Sequence, residues 1–216
     1  MKTLLPTMLA LCLVACVAPQ PLIPIAAKPE ISVLHVSGKI VSVPPNSKWP
    51  ASIKIGARFD YWAVLDNRVR DENPSPQEGS FPQKAWPARY DLRVGDFRFS
   101  SDRLNPPTFS VSTYHARQGS SDGYSISPYF HTPLPEAPEL EAVSFTVSLR
   151  SEKKDQITTD QLPVRPIPIA DLVGGNAPTF RGAAYLKTDH SDHHFQGDVD
   201  NFEVFQASAD SPLKLR

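Results

Sequence analysis

Three of the chain's six histidines lie within one stretch, "DHSDHH", Asp189 to His194. His190, His193 and His194, with Asp189 and Asp192, are ligand types for Zn²⁺ or another borderline metal. Asp198 and Asp200 follow and can add carboxylates. Gathered on one ion, these side chains would make a metal-binding protein or a metal-dependent enzyme. The H-x-x-H-H spacing is not H-E-x-x-H, and nothing around it predicts a helix to present it. Asp198-x-Asp200 lacks the Gly and terminal Glu of an EF-hand loop. The same residues also read as the polar end of a hairpin joining "AAYLKT" to "FQGDVDNFEVF", because Asp and Ser tolerate turns. Both readings stand, and Zn²⁺ belongs only to the first.

A different chemistry is available to the tryptophans, Trp49, Trp62 and Trp86. Trp62 falls beside Asp60 on the polar side of an alternating run, where an indole can stack on a sugar ring or pack under a loop. Trp49-Pro50 and Trp86-Pro87 are expected to staple loops. Support for nucleophilic catalysis is thin: G-x-S-x-G is missing, and Ser120-Ser121-Asp122-Gly123 is an ordinary turn sequence. His35 and His115 alternate with apolar residues and read as strand histidines that face solvent or are hydrogen-bonded; His131 reads as a loop residue. The expectation is a non-catalytic protein with no catalytic residues and no cofactor. A net charge of −1 gives no basic field for nucleic acid.

The elements that must hold these residues are strands. The 23 prolines among 216 residues are about twice the average share and oppose long helices. From Ile53 to Asp66, apolar and polar residues alternate with period 2, apart from Trp62 and Val64, which predicts one long half-buried strand. Val143, Phe145, Val147 and Leu149 alternate with Ser144, Thr146, Ser148 and Arg150 in the same way. "YDLRVGDFRF" predicts a hairpin turning at Gly95-Asp96, with Val94 opposite Phe97 and Leu92 opposite Phe99. Further strands are expected over 32–43, 107–115, 123–130, 179–187 and 195–205, and "PEAPELEAV" holds at most one helical turn. About 8–10 strands with proline-rich connections predict an all-β fold, a single antiparallel β-sandwich or a flattened barrel.

At the N-terminus, Lys2 precedes the apolar run "LLPTMLALCLVA" and then Cys16. The run is too short to span a bilayer and reads as an export signal over residues 1–15. "LVAC" resembles the lipobox of bacterial lipoproteins, with Leu13 at −3, Ala15 at −1 and the Cys that follows. The resemblance covers about 16 residues and implies cleavage before Cys16, a thioether-linked lipid on its thiol, and a membrane partner. Cys12 would leave with the signal, so Cys16 would be the one cysteine of the mature chain and no internal disulfide would form. Val17, where this family's inner-membrane retention signal has Asp, implies the outer membrane. Residues 16–30 then read as a lipidated Cys and a proline-rich tether, 31–206 as the β-domain and 207–216 as a tail. The alternative is that Leu22, Ile23 and Ile25 pack on the domain as a first strand.

A second resemblance covers about residues 31–206. Gly38-Lys39-Ile40, Val94-Gly95-Asp96 and Gly197-Asp198-Val199 are similar to the opening strand, central hairpin and closing strand of a group of exported bacterial β-sandwich domains of uncharacterised function. It implies a fold and no site residue. The expectation is therefore a lipid-anchored envelope protein with structural or binding roles, its partner an envelope protein, a carbohydrate or another surface.

Overall fold

The computed structural model describes residues 30–75, 78–84, 88–101, 109–114, 122–130, 134–151, 162 and 179–207. The expected export signal, Cys16, the expected tether as far as residue 29, Trp86, His115, Ser120, Ser121, His131 and the expected tail from residue 208 lie outside them.

Ten strands make one antiparallel sheet: β1 (Ile31–Ser42), β2 (Arg58–Asp66), β3 (Glu78–Gln83), β4 (Arg89–Val94), β5 (Phe97–Ser100), β6 (Phe109–Tyr114), β7 (Asp122–Phe130), β8 (Leu140–Ser151), β9 (Thr179–Leu186) and β10 (Asp192–Ala207). Their spatial order is β3-β6-β7-β8-β9-β10-β1-β2-β4-β5. The all-β antiparallel expectation holds, in the form of a single continuous sheet curled into a half-barrel. β6 to β10 form a meander, and the last strand, β10, pairs with the first, β1, from Ile31↔Ala207 onward.

The predicted hairpin forms in the predicted register, Val94↔Phe97 and Leu92↔Phe99, with Gly95 at φ 55°. β8 alternates buried and half-buried residues from Val143 to Leu149 as expected. The long strand over 53–66 is corrected: β2 starts only at Arg58. Residues 53–57 instead turn, with Gly56 at φ 84° donating its N–H to the Ile40 carbonyl (2.8 Å) and Ile55 66% exposed. An alternating pattern cannot reveal that a left-handed glycine interrupts it. β3 was not predicted from sequence, since "EGSFPQ" carries Gly79 and Pro82. It is an edge strand, a sheet position that tolerates proline.

The concave face is the core. Two features set its curvature. Phe59 on β2 lies opposite Gly38 on β1, and its ring also covers Gly197 on β10; Phe195 on β10 lies opposite Gly182 on β9 and covers it. A β-carbon at Gly38 would sit 1.9 Å from the Asp198 carbonyl oxygen, and one at Gly182 would sit 2.1 Å from the Phe195 ring. The rings therefore lie directly on neighbouring backbone, a device that permits tight bending of a sheet. Register shifts on either side of Gly38 through Ile40 add to the bend.

Rings then join the two limbs of the curl. Phe59 stacks on Phe180 (4.4 Å), Tyr90 meets Phe109 edge-on (5.5 Å), and Phe99 lies 5.4 Å from Phe145. Trp49 does staple its loop, sitting edge-on to Phe195 at 5.0 Å. Tyr61 and Tyr90 stack parallel, and burial pushes both phenols well above their ordinary range, so they stay neutral. Gln83, fully buried on edge strand β3, accepts a hydrogen bond from the Asp66 N–H on β2 (2.8 Å) and so ties one limb to the other.

Two predictions follow from this packing. Gly38→Ala and Gly182→Ala should each lower the free energy of unfolding by about 2–4 kcal/mol, because backbone or a core ring must move. Gly56→Ala, where a β-carbon meets open space, should cost only about 1–2 kcal/mol for its left-handed backbone. Urea titrations of the three variants check this order.

The second concerns Asp66. Arg68 donates to both its carboxylate oxygens (Nε 2.8 Å, Nη2 2.9 Å), and with the Arg68 N–H this holds the carboxyl below its ordinary value. A carboxyl lowered on folding contributes stability present above its unfolded value near pH 4 and lost as pH falls through its folded one. Asp66→Asn should therefore flatten the acid side of the stability profile between about pH 5 and pH 2, at a cost of about 1 kcal/mol or less at pH 7. Thermal melts across that range, wild type against variant, measure the difference.

Candidate functional site

With the concave face filled, the side chains free to meet other molecules are those of the convex face. Strand alternation sends Asp192, His194 and Gln196 of β10, Arg181, Ala183 and Tyr185 of β9, and Ser144 and Thr146 of β8 outward. On the other limb it sends out Asp60 and the half-buried His35 and Trp62, while Asp91 on the same face is buried. From edge strand β3 to β9 runs a hydroxyl row, since Ser80, Ser112, Ser125, Ser148 and Thr179 stand opposite one another across five strands.

"DHSDHH" forms the turn between β9 and β10 and the first residues of β10. The Leu186 N–H donates to the Ser191 carbonyl (2.9 Å), and His190 takes a left-handed conformation at φ 55°. Asp189 accepts from the Ser191 N–H (2.9 Å), an Asx turn, and hydrogen bonds from Ser191 lower its pKa. The three imidazoles turn to three different partners. His190 Nδ1 lies 2.9 Å from Glu141 on β8, His193 Nε2 lies 3.3 Å from the Ser191 hydroxyl, and His194 Nδ1 lies 3.7 Å from Asp192. Among the described residues, no three His, Cys, Asp or Glu side chains converge to hold a metal ion. Asp198 pairs opposite Lys39 in the sheet, and Asp200 sits at the register shift, 3.6 Å from Arg58.

Trp62 is half-buried. It stands opposite His35 on β1, and the two rings stack at 3.9 Å and 10°. Phe205 on β10, 45% exposed, lies 6.2 Å away and nearly parallel. The aromatic side chain expected on this face is there, as one member of a stacked row. Its base is apolar: Ile31, Val33 and Val64 are buried beside it.

His35 is the residue that sequence reasoning treated as incidental. Its Nδ1 lies 3.0 Å from Glu203 on β10 and its Nε2 lies 3.1 Å from Asp60 on β2. The acids lie 25 and 168 residues away, so the clamp is legible only once β10-β1-β2 register is known. A buried acid lies one strand further: Asp91, opposite Trp62, accepts from Arg93 (3.3 Å) and Arg98 (2.9 Å). A nearly buried carboxylate needs such partners.

The fold and these surfaces define a class: an all-β, half-barrel domain with an occupied core and a polar, aromatic-bearing convex face. In comparisons with known proteins the chain matches no protein-family model, no curated protein and no solved structure.

His35→Ala should leave Asp60 and Glu203 without their shared partner and uncover one face of Trp62. The fluorescence assigned to Trp62, taken as the difference from Trp62→Phe, should shift to the red. Stability should fall by about 1–2 kcal/mol, the value of a charge-assisted hydrogen-bond pair at a partly exposed site. An unchanged Trp62 spectrum would contradict the stacking.

Proposed function

We propose that the chain is a lipid-anchored, non-catalytic protein of a bacterial envelope whose β-domain binds through its convex face, with a glycan or an envelope protein as partner. The observation that carries the binding half is the division of faces. Phe59, Phe145, Phe180 and Phe195 occupy the concave side, while Trp62, Phe205 and Tyr185 reach the convex surface among hydroxyls and paired charges. Aromatic rings with polar neighbours suit a partner that is apolar on one side and hydrogen-bonding on the other. The anchoring half is supported by the order of Lys2, the apolar run, Ala15 and Cys16. A lipoprotein's acyl chains supply stable membrane attachment when more than one is present.

The test joins the halves. In a Gram-negative host, the full-length chain should sediment with outer membranes on a density gradient, and Cys16→Ser should not. A soluble chain starting at Val17 should co-sediment with purified cell-wall sacculi or with outer-membrane vesicles, and Trp62→Ala combined with Phe205→Ala should weaken that association. Outer-membrane attachment that survives Cys16→Ser would overturn the anchor. Failure to associate with any envelope fraction would overturn the binding role.

A further inference from the structure

We propose that a depression of about 280 Å³ on the convex face of β8, β9 and β10 is a binding subsite for a neutral pyranose sugar. The proposal rests on the reading of the domain as a binding module and names its ligand class.

Small residues line the depression, and β8 departs from regular pairing beside it. Ala142 and Ala183 lie beneath it, and Tyr185, Arg181, Asp192, Ser144 and Thr146 surround it. Ala142 holds φ 50°, a left-handed conformation that strains a residue with a β-carbon. The β8–β9 register shifts at the same place, between Glu141 and Ser144. Strain of this kind is found where a surface is shaped for a ligand. The end of the depression is fixed by the "DHSDHH" turn, since His190 reaches back to Glu141 and the Lys187 N–H donates to the Glu139 carbonyl (3.0 Å).

The lining matches a sugar's two kinds of surface. Tyr185, 46% exposed, offers a ring to the C–H face of a pyranose. Arg181 and Asp192 stand 3.6 Å apart. Together they present a fork of donors beside a pair of acceptor oxygens, as vicinal hydroxyls require. Their charges oppose each other, so the subsite favours a neutral ligand over a phosphate or a carboxylate. The hydroxyl of Ser144 donates to the Ala183 carbonyl (3.5 Å) and that of Thr146 to Ser127 (3.3 Å). Their protons are spent, and their lone pairs remain to accept from sugar hydroxyls. The volume falls just below the about 300–1,000 Å³ of sites for drug-sized ligands, which fits one ring.

The experiment uses the full-length chain in detergent micelles, with the methyl α-glycosides of glucose, mannose, galactose and N-acetylglucosamine as probes. Saturation-transfer NMR detects binding and calorimetric titration measures it. At least one glycoside should bind with a Kd in the millimolar range, about that of a contact worth 4 kcal/mol. Ala183→Leu, which fills the floor from the solvent side, and Tyr185→Ala should each weaken it about tenfold or more. Thr146→Val, a near-isosteric loss of one hydroxyl, should weaken it by a smaller factor, and Trp62→Ala should leave it unchanged. Binding that survives Ala183→Leu in a folded protein, or no binding by any of the four, overturns the subsite. Binding lost in Trp62→Ala but kept in Ala183→Leu removes the subsite and leaves the binding module intact on its other limb.

Discussion

The half-barrel depends on aromatic rings lying directly on glycine backbone. Phe59 over Gly38 and Gly197, and Phe195 over Gly182, bring side chain and neighbouring strand closer than any β-carbon would allow. Three adjacent strands, β1, β10 and β9, carry these glycines, and they form the middle of the ten-stranded order. Bending there brings the β4–β5 limb over the β6–β8 limb, where Tyr90 meets Phe109 and Phe99 meets Phe145. A flatter sheet would leave those rings in water. The rest of the core can form because the bend comes first in the geometry, whatever the order in time.

Closing the concave side on itself decides where recognition can occur. Among the described strands, the exposed side chains lie chiefly on the convex face, and each limb equips it differently. On one limb, His35 clamped by Asp60 and Glu203 stacks on Trp62, and Asp91 is held by two arginines. These are stiff arrangements, with each charge answered by a neighbour. On the other limb, small hydroxyl and alanine residues leave the surface low around Tyr185. The stiff limb presents an aromatic edge, and the low limb presents a concavity.

"DHSDHH" shows how the two views of a residue cluster differ. As a string it concentrates imidazoles and carboxylates. In the hairpin, strand alternation and a left-handed His190 send the three rings apart, to Glu141, Ser191 and Asp192. The stretch serves the fold by turning β9 into β10 and anchoring that turn to β8. Asp192, its one member at the rim of the depression, then contributes through its neighbour Arg181 rather than through the histidines.

The sequence by itself determined what depends on neighbours along the chain. Period-2 alternation specified most of β8 and most of β2. Gly95-Asp96 specified the turn and register of β4 and β5, because a two-residue loop leaves the pairing no freedom. The proline content and the lack of helical periodicity specified an all-β class. Tertiary structure alone decided what depends on partners distant in sequence. Pairing of β10 with β1 made the His35 clamp and turned Trp62 from an isolated platform into part of a stack. Gly38, Gly182 and Gly197 read only as motif glycines or strand interruptions until Phe59 and Phe195 were seen lying on them. The curl that fills one face of the sheet and frees the other is a sum of such long-range contacts, and no local pattern carries it.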